Sequence, residues 1–191
     1  MSTTGLTVKT IRIEPVTRAS FAPFGTLLSP DGVERLPRHV YEGKIESYRP
    51  GSFESDRPVE WVVSRLGVRS YTVVYMERHF LLTQTFIPLG GNPIVMVVAR
   101  PDARLENDIP AIDEIHAFLV PGDSAVNIHR GTWHEPPYPL VEGSIVLMTS
   151  HQVLLAGLAS GLDENQELQK PDIDKRNVAE RAGLLIRLEL S

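Results

Sequence analysis

The feature that most constrains the fold of this chain is its regular punctuation by glycine and proline. The 14 glycines and 15 prolines are spread through 191 residues and separate short apolar or alternating runs. These runs are "TVVYMERHF", "TQTFIPL", "PIVMVVARP", "IHAFLVP" and "GSIVLMTSHQVLL". Because too few residues lie between them for crossover helices, the pattern predicts packed β-strands rather than βαβ units. We therefore expect a mostly β domain, built as a jelly-roll-like barrel.

Helical candidates lie near the two ends of the chain. In "TRASFAPFG", Thr17 is a candidate N-cap and Gly25 a candidate end of a short helix. Residues 161–181, "GLDENQELQKPDIDKRNVAER", are polar and charged, which predicts either a solvated helical segment or a mobile tail. The apolar run "GLLIRLEL" that follows predicts a terminal strand. We expect a single domain over residues 1–191.

Composition and charge exclude several classes of function. The net charge of −5 and the pI near 5.7 argue against binding of nucleic acid or anionic membranes, which needs a basic face. The absence of cysteine excludes disulfides, thiolate nucleophiles and sulfur-ligated metals. "MSTTGLTVKT" lacks the apolar core of a secretory signal, and the apolar runs fall short of the roughly 20 residues that span a bilayer. We expect a soluble, cytoplasmic protein.

The "ERH" motif carries the first candidate functional residues. Glu77 and His79 are two residues apart, so on a strand both side chains leave the same face, while Arg78 points the other way. Gln84 would fall on the opposite face of a continuous strand, so its participation requires a turn or bulge in "FLLT". Carboxylate, imidazole and amide donors suit nickel, manganese, iron or zinc. The alternative is an edge strand whose Glu77 and His79 are solvated or paired with each other.

The stretch "NIHRGTWHEPP" holds the second set of candidates. His129 and His134 are separated by "RGTW", where Gly131 permits a turn that brings the later imidazole towards the "ERH" strand. Trp133 offers a large apolar wall for a pocket, and Arg130 offers a two-pronged grip on a carboxylate. The clustering of these residue types in a loop between strands favours a functional site over a purely structural loop.

At these residues the chain resembles the ureidoglycolate lyase family, cupin-fold enzymes of allantoin breakdown in purine metabolism. Three segments carry the resemblance: "IRIEPVTRASFAPFGTLLSPDG", "MERHFLLTQTFIPLGGNPIVMVVA" and "NIHRGTWHEP". With the connecting turns it covers about residues 10–150, leaving residues 160–191 as a charged segment and terminal strand. The resemblance implies a cupin-like jelly-roll barrel (a double-stranded β-helix) with short flanking helices. It also implies a carbon–nitrogen lyase of the amidine-lyase type, which cleaves ureidoglycolate to glyoxylate and urea.

The resemblance further implies a set of site residues. A divalent metal ion would be held by Glu77, His79, Gln84 and His134, with no organic cofactor. His129 is the leading group for proton transfer, because an unperturbed imidazole titrates near pH 6.5. Glu77 is the second catalytic candidate. The candidates for binding a small-molecule carboxylate substrate are Arg130, Trp133 and Arg78. A homodimer is expected as well.

The chain departs from the family pattern in several places. Phe80, Leu81 and Leu82 follow "ERH", where proline and glycine are usual. Glu135 follows "WH", where many members have histidine, and Ser150 and His151 stand where aspartate and arginine are usual. Two alternative functions therefore stay open. One is a related cupin enzyme acting on another small 2-hydroxy or 2-oxo acid, and the other is a non-catalytic cupin that binds a small acid.

Overall fold

The computed structural model describes residues 7–37 and 41–190, and these fold mainly into β-strands. The first six residues, which contain part of the stretch without a secretory signal, lie outside the described residues. The strands of the described chain are β1 (Thr7–Pro15), β2 (Gly25–Leu28), β3 (Glu60–Leu66), β4 (Thr72–Val73), β5 (Tyr75–His79), β6 (Gln84–Leu89), β7 (Gly91–Ala99), β8 (Leu105–Glu106), β9 (Ile109–Pro110), β10 (His116–Gly122), β11 (Ala125–Ile128), β12 (Trp133–His134), β13 (Tyr138–Pro139), β14 (Ser144–Ser150), β15 (Leu168–Lys170), β16 (Ile173–Asn177) and β17 (Leu184–Leu190).

Helices are short and few in the described ranges. They are α1 (Arg18–Phe21), α2 (Gln152–Ser160) and α3 (Val178–Ala182), with 3₁₀ turns at Tyr41–Gly43 and Ile112–Glu114. Within the part of the chain that the structure describes, no helix combines the length and apolar character needed to cross a membrane.

Two large sheets form the barrel. The first has the strand order β15-β16-β5-β12-β7-β10-β1-β17-β4, with β13 also paired to β7, and the second has the order β2-β11-β6-β14-β3. The pairs that β1 makes with β10 and β17 are parallel, and the others are antiparallel. This architecture confirms the predicted mostly β, cupin-like barrel with short flanking helices.

Apolar residues fill both faces of the first sheet. Phe86, Val98 and Phe118 belong to a fully buried cluster that contains residues of both sheets. Val97 and Trp133 belong to a second cluster, on the opposite face of the first sheet, because successive strand residues alternate between faces. The outer face of the first sheet is therefore covered by apolar side chains, and its inner face lines the barrel.

The predicted N-terminal helix is present but shorter than expected. Thr17 caps α1 in a capping box, with its hydroxyl accepting from the backbone nitrogen of Ser20 at 3.0 Å. The helix ends at Phe21, and Gly25 begins β2 instead of ending the helix. A Cβ at Gly25 would lie 2.4 Å from the carbonyl oxygen of Asn127. Glycine is needed here for the close approach of two strands.

The two segments after residue 143 differ from the sequence-based expectations. In "GSIVLMTSHQVLL" the strand ends at Ser150, and helix α2 follows. The charged segment 161–181 forms neither a solvated helix nor a tail, since it folds into β15, β16 and α3. Several of its charges are paired: the Asp174 carboxylate lies 3.0 Å from the Arg78 guanidinium and 2.7 Å from that of Arg176. The terminal strand is confirmed as β17.

Strands β15 and β16 form a hairpin. An ion pair between Glu167, just before this hairpin, and Arg181 of α3 connects the hairpin to the helix that follows it. Arg181 donates two hydrogen bonds to the Glu167 carboxylate, both at 2.7 Å, and the backbone nitrogen of Asn177 donates a third at 2.8 Å. These hydrogen bonds outweigh the effect of burial and lower the pKa of Glu167 to about 2.

We predict that this pair makes folding stability depend on acid pH. Because the pKa of Glu167 is depressed in the folded chain, its contribution is present above the ordinary value of 4.5 and is lost as pH falls towards about 2. Glu167→Gln should lower the free energy of unfolding at neutral pH by on the order of 2 kcal/mol. It should also flatten the pH dependence in that window, as measured by urea unfolding. The exposed Glu164→Gln is the control, and an unchanged slope in Glu167→Gln would contradict the prediction.

Candidate functional site

Strand pairing sets a row of polar side chains across the inner face of the first sheet. Glu77 of β5 lies directly opposite His134 of β12 on one side and Lys175 of β16 on the other. Residues directly opposite in antiparallel strands point to the same face. His134 also lies opposite Val98, whose side chain belongs to the cluster between the sheets, so the row points into the barrel.

Glu77, His79 and His134 form a compact cluster. The Nε2 atoms of His79 and His134 lie 3.5 and 3.7 Å from the same oxygen of Glu77. One ligand atom from each residue lies within 4.8 Å of the others. The structure thus confirms that Glu77 and His79 share a strand face, and it brings His134 to them.

The turn at Gly131 positions His134 next to Glu77 and His79. Gly131 has φ of 78°, in the left-handed region that favours glycine, and its backbone nitrogen donates to the carbonyl oxygen of His79 at 2.7 Å. The turn is therefore tied to the end of β5, which carries the cluster. The predicted role of Gly131 in bringing the later imidazole to the "ERH" strand is confirmed.

The electrostatics of the cluster favour metal-binding protonation states. Burial raises the pKa of Glu77, but a hydrogen bond from His79 and the electrostatic interactions with His79, His134 and Lys175 lower it, with a net decrease. Burial and the neighbouring His79 lower the pKa of His134 to about 4, so its imidazole is neutral near pH 7. The Nδ1 of His134 lies 3.1 Å from the Thr132 carbonyl oxygen. A ring N–H donated there leaves the Nε2 lone pair facing Glu77.

Gln84 joins the cluster from the other sheet. The chain leaves the first sheet after His79, turns through residues 80–83 and begins β6 at Gln84. This satisfies the requirement for a turn in "FLLT". The Gln84 amide nitrogen donates to the Thr149 carbonyl oxygen at 3.2 Å, while its amide oxygen is buried with no hydrogen-bond partner among the described residues. An unsatisfied buried acceptor beside two histidines and a carboxylate fits a cation.

These residues line a two-lobed cavity inside the barrel. One lobe, of about 270 Å³, is lined by all four cluster residues and by strands β3, β6 and β14. Leu154, Leu155 and Leu158 of α2 also line it. We call this the apolar lobe. The second lobe, of about 300 Å³, shares Glu77 and His134 with the first. We call it the charged lobe, because its other lining residues include Arg69, Glu135 and Lys175.

His129 and Arg130 lie in a different place. They line a separate cavity together with Thr83 and Asn127. The His129 ring is exposed, with Nε2 3.3 Å from a backbone carbonyl oxygen, and Arg130 donates two hydrogen bonds to Asp56 at 2.8 and 3.0 Å. The structure does not bring these two residues into the cavity of the Glu77 cluster, although the sequence predicted a shared rim.

Trp133 and Arg78 lie on the outer face of the first sheet. Trp133 is fully buried in the outer cluster, and the Arg78 guanidinium stacks over its ring at 4.3 Å. Arg78 also pairs with Asp174. Neither residue lines the two lobes, because each is adjacent in sequence to a residue of the cluster and so points to the opposite strand face.

The charged lobe contains cations that the sequence did not reveal as site residues. Lys175 lies in the charged segment 161–181, for which no strand was predicted. The alternation of apolar and polar residues around Ile173 was the signal that could have indicated one. Arg69 had no recognisable motif. Glu135, noted only as a departure from the family, is buried here, which raises its pKa to about 7 despite a hydrogen bond from the Tyr138 hydroxyl.

Most of the other departures from the family pattern lie away from the lobes. The Phe80 ring lies 5.1 Å from the Arg78 guanidinium on the outer side, and Leu82 packs in a cluster with Leu154. His151 is buried and lies 2.8 Å from the Ser55 hydroxyl, whereas Ser150 lines the apolar lobe. Glu135 and Ser150 are therefore the departures that change the lining of the cavity.

Comparison with known proteins agrees with these motifs. The sequence model of the ureidoglycolate lyase family matches residues 8–170. Relatives named ureidoglycolate lyase include one from Azotobacter vinelandii, 33% identical over 141 residues, which are 71% of this chain and 81% of the relative. Another, from Pseudomonas fluorescens, is 33% identical over 135 residues, which are 68% of this chain and 77% of the relative.

Among solved structures, RmlC from Streptococcus suis in complex with dTDP-D-xylose aligns with a TM-score of 0.32 and 10% identity. That alignment covers 70% of this chain and 60% of the other. The family match covers most of the chain and includes the whole Glu77, His79, Gln84 and His134 cluster. This chain belongs to the ureidoglycolate lyase family.

Proposed function

We propose that this protein cleaves ureidoglycolate into glyoxylate and urea. The observation that carries the proposal is the Glu77, His79 and His134 cluster, which lines a cavity of a chain belonging to this family. A cavity with an apolar lining and a few convergent polar groups is the usual form of a small-molecule site. The volume of each lobe suits a substrate of this size.

The reaction needs one proton removed and one proton supplied. The reacting carbon of ureidoglycolate carries a hydroxyl, a carboxylate and a urea nitrogen. As the hydroxyl loses its proton, the C=O bond of glyoxylate forms, the C–N bond breaks, and the nitrogen of the departing urea takes up a proton. Glu77 is ionised near neutral pH, because its pKa lies below its usual value, and it is our candidate to accept the hydroxyl proton.

The four residues of the cluster would also hold a divalent metal ion. The supporting observations are the two Nε2 atoms directed at Glu77 and the unsatisfied amide oxygen of Gln84. Nitrogen and oxygen donors of this kind suit nickel, manganese, iron or zinc. When bound, such an ion lowers the pKa of a coordinated hydroxyl and orients the substrate.

Metal retention tests this part of the proposal. Wild-type protein loaded with nickel, manganese, iron or zinc and then dialysed should keep a stoichiometric ion, as measured by elemental analysis. His134→Ala should lose it, because one of the two imidazole ligands is removed. The control is His116→Ala, which replaces an exposed histidine on β10. Wild-type protein that retains none of the four metals would refute the metal site.

Turnover tests the reaction itself. We expect Glu77→Gln to lower the rate of urea and glyoxylate release from racemic ureidoglycolate by about a hundredfold or more, because the amide neither accepts the proton nor carries the charge. The exposed Glu189→Gln on β17 is the matched control and should keep the wild-type rate. Equal rates for the two variants would exclude Glu77 from the chemistry.

The proton-transfer role of His129 remains a separate proposal. The support for this role is the sequence motif. The His129 ring, however, lines the separate cavity that it shares with Arg130. The same assay on His129→Ala, with metal content measured in parallel, decides it. Loss of turnover in a folded, metal-replete variant would support the role, and normal turnover would eliminate it.

A related 2-hydroxy or 2-oxo acid is the second candidate substrate. The observation that favours it is Glu135, which lines the charged lobe beside His134 at a position where many family members have histidine. A panel of small hydroxy and oxo acids in the turnover assay separates the two substrates. Binding without turnover of any of them would instead support a non-catalytic small-acid-binding protein.

We also propose a homodimer formed through the second sheet. Its edge strand β3 exposes Trp61 and Val63, with 65% and 64% of their surface accessible. Val63 pairs with Leu147, which pairs in turn with Ile87, so an apolar row crosses three strands on the outer face. A second copy can pair with β3 and cover this row, because an edge strand has free backbone donors and acceptors.

If the dimer forms through β3, a charge placed on this strand should lower the molecular mass measured in solution. Val63→Glu should shift the protein from dimer to monomer in light scattering coupled to size-exclusion chromatography, because it places a charge in the apolar row. Val8→Glu, on the exposed part of β1, is the control. Wild-type protein that is monomeric throughout would refute the dimer.

A further inference from the structure

We propose that Lys175 binds the carboxylate of the substrate, so that the segment after the family match determines which acids enter the cavity. The family model matches residues 8–170, and Lys175 lies beyond that range, on β16. The substrate named in this inference is the one of the proposed function. The recognition of a small carboxylate by Lys175 can be tested without turnover.

The position of Lys175 follows from strand register. β16 pairs with β5 in antiparallel fashion, and Lys175 is the direct partner of Glu77. Lys175, Glu77 and His134 therefore form one row across three adjacent strands. The ammonium group lies 4.9 Å from the centre of the Tyr75 ring, which lines the same charged lobe. A substrate group placed next to Glu77 in this lobe lies beside the lysine.

Lys175 has its hydrogen-bond donors free for a ligand. Among the described residues, its ammonium group has no hydrogen-bond or ion-pair partner; it lies over the Tyr75 ring, and its charge lowers the pKa of Glu77. Arg69, the other cation of the charged lobe, donates to the carbonyl oxygens of Pro136 and Pro137 and stacks over the Tyr138 ring at 3.8 Å. The free ammonium carries three donors and a full charge, which suits a carboxylate.

The charge of the lobe gives a reason for this lysine. Glu77, which is ionised near neutral pH, lines the same lobe, and this carboxylate would repel an anionic substrate. Transfer of a carboxylate from water into a protein cavity is costly unless a charged donor compensates for the lost hydration. Lys175 supplies that compensation at the position where substrate and Glu77 meet.

Kinetics of three variants test the inference. Lys175→Met should raise KM for ureidoglycolate by about tenfold or more, with a smaller change in kcat, since a charge-assisted hydrogen bond is lost. Lys175→Arg keeps the charge and should recover most of the affinity. Lys170→Met is the matched control, because this lysine lies on the same hairpin but is exposed and lines neither lobe. An unchanged KM in Lys175→Met would overturn the proposal.

A binding measurement separates this inference from the proposed function. Calorimetric titration with glyoxylate, on folded protein of verified metal content, should show binding to wild type that weakens about tenfold or more in Lys175→Met. If wild type binds glyoxylate through Lys175 but does not cleave ureidoglycolate, the proposed function fails and the inference stands. If Lys175→Met loses metal or fold together with affinity, and Lys175→Arg does not restore them, the role is structural and the inference fails.

Discussion

The backbone pairing of β12, β5 and β16 is the constraint on which the site depends. Each strand contributes one side chain to a single row, and the hydrogen-bond ladder fixes their order as His134, Glu77, Lys175. A shift of one residue in either pairing would turn a side chain of this row to the outer face of the sheet. The site is therefore set by register between segments far apart in the sequence.

Ion pairs on and beside the hairpin hold that register. Asp174 joins Arg78 of β5 to Arg176, and Glu167 joins Arg176 to Arg181 of α3, at distances between 2.7 and 3.8 Å. These charges neutralise one another, so burying the hairpin does not leave them unpaired. On the other face of the same strand, Lys175 has no such partner in the described chain. Asp174 and Arg176 therefore stabilise the fold, whereas Lys175, on the other face of β16, is available to a ligand.

Much of the fold and half of the candidate site could be predicted from the sequence. Alternation in "YMERH" placed Glu77 and His79 on one strand face, and the glycine in "RGTWH" allowed a turn, because strand faces and tight turns are local properties. The place of His134 beside them was implied by the resemblance to the family. The positions of His129, Arg130 and Trp133 were not predictable in this way. Which cavity a loop residue lines depends on the strands that pack around it. Arg130 is held by Asp56, a residue from a distant segment with no motif of its own.

The sequence by itself determined the β-rich class, the family and the chemical character of the Glu77, His79 and His134 cluster, since these follow from short-range patterns and residue types. Only the tertiary structure decided that residues 161–181 form β15, β16 and α3, which bring Lys175 to the charged lobe, and that α2 lines the apolar lobe. The physical reason is that a charged segment is stable in a sheet only when its charges find partners. Those partners, Arg78 and Arg181, come from a distant strand and from the helix that follows.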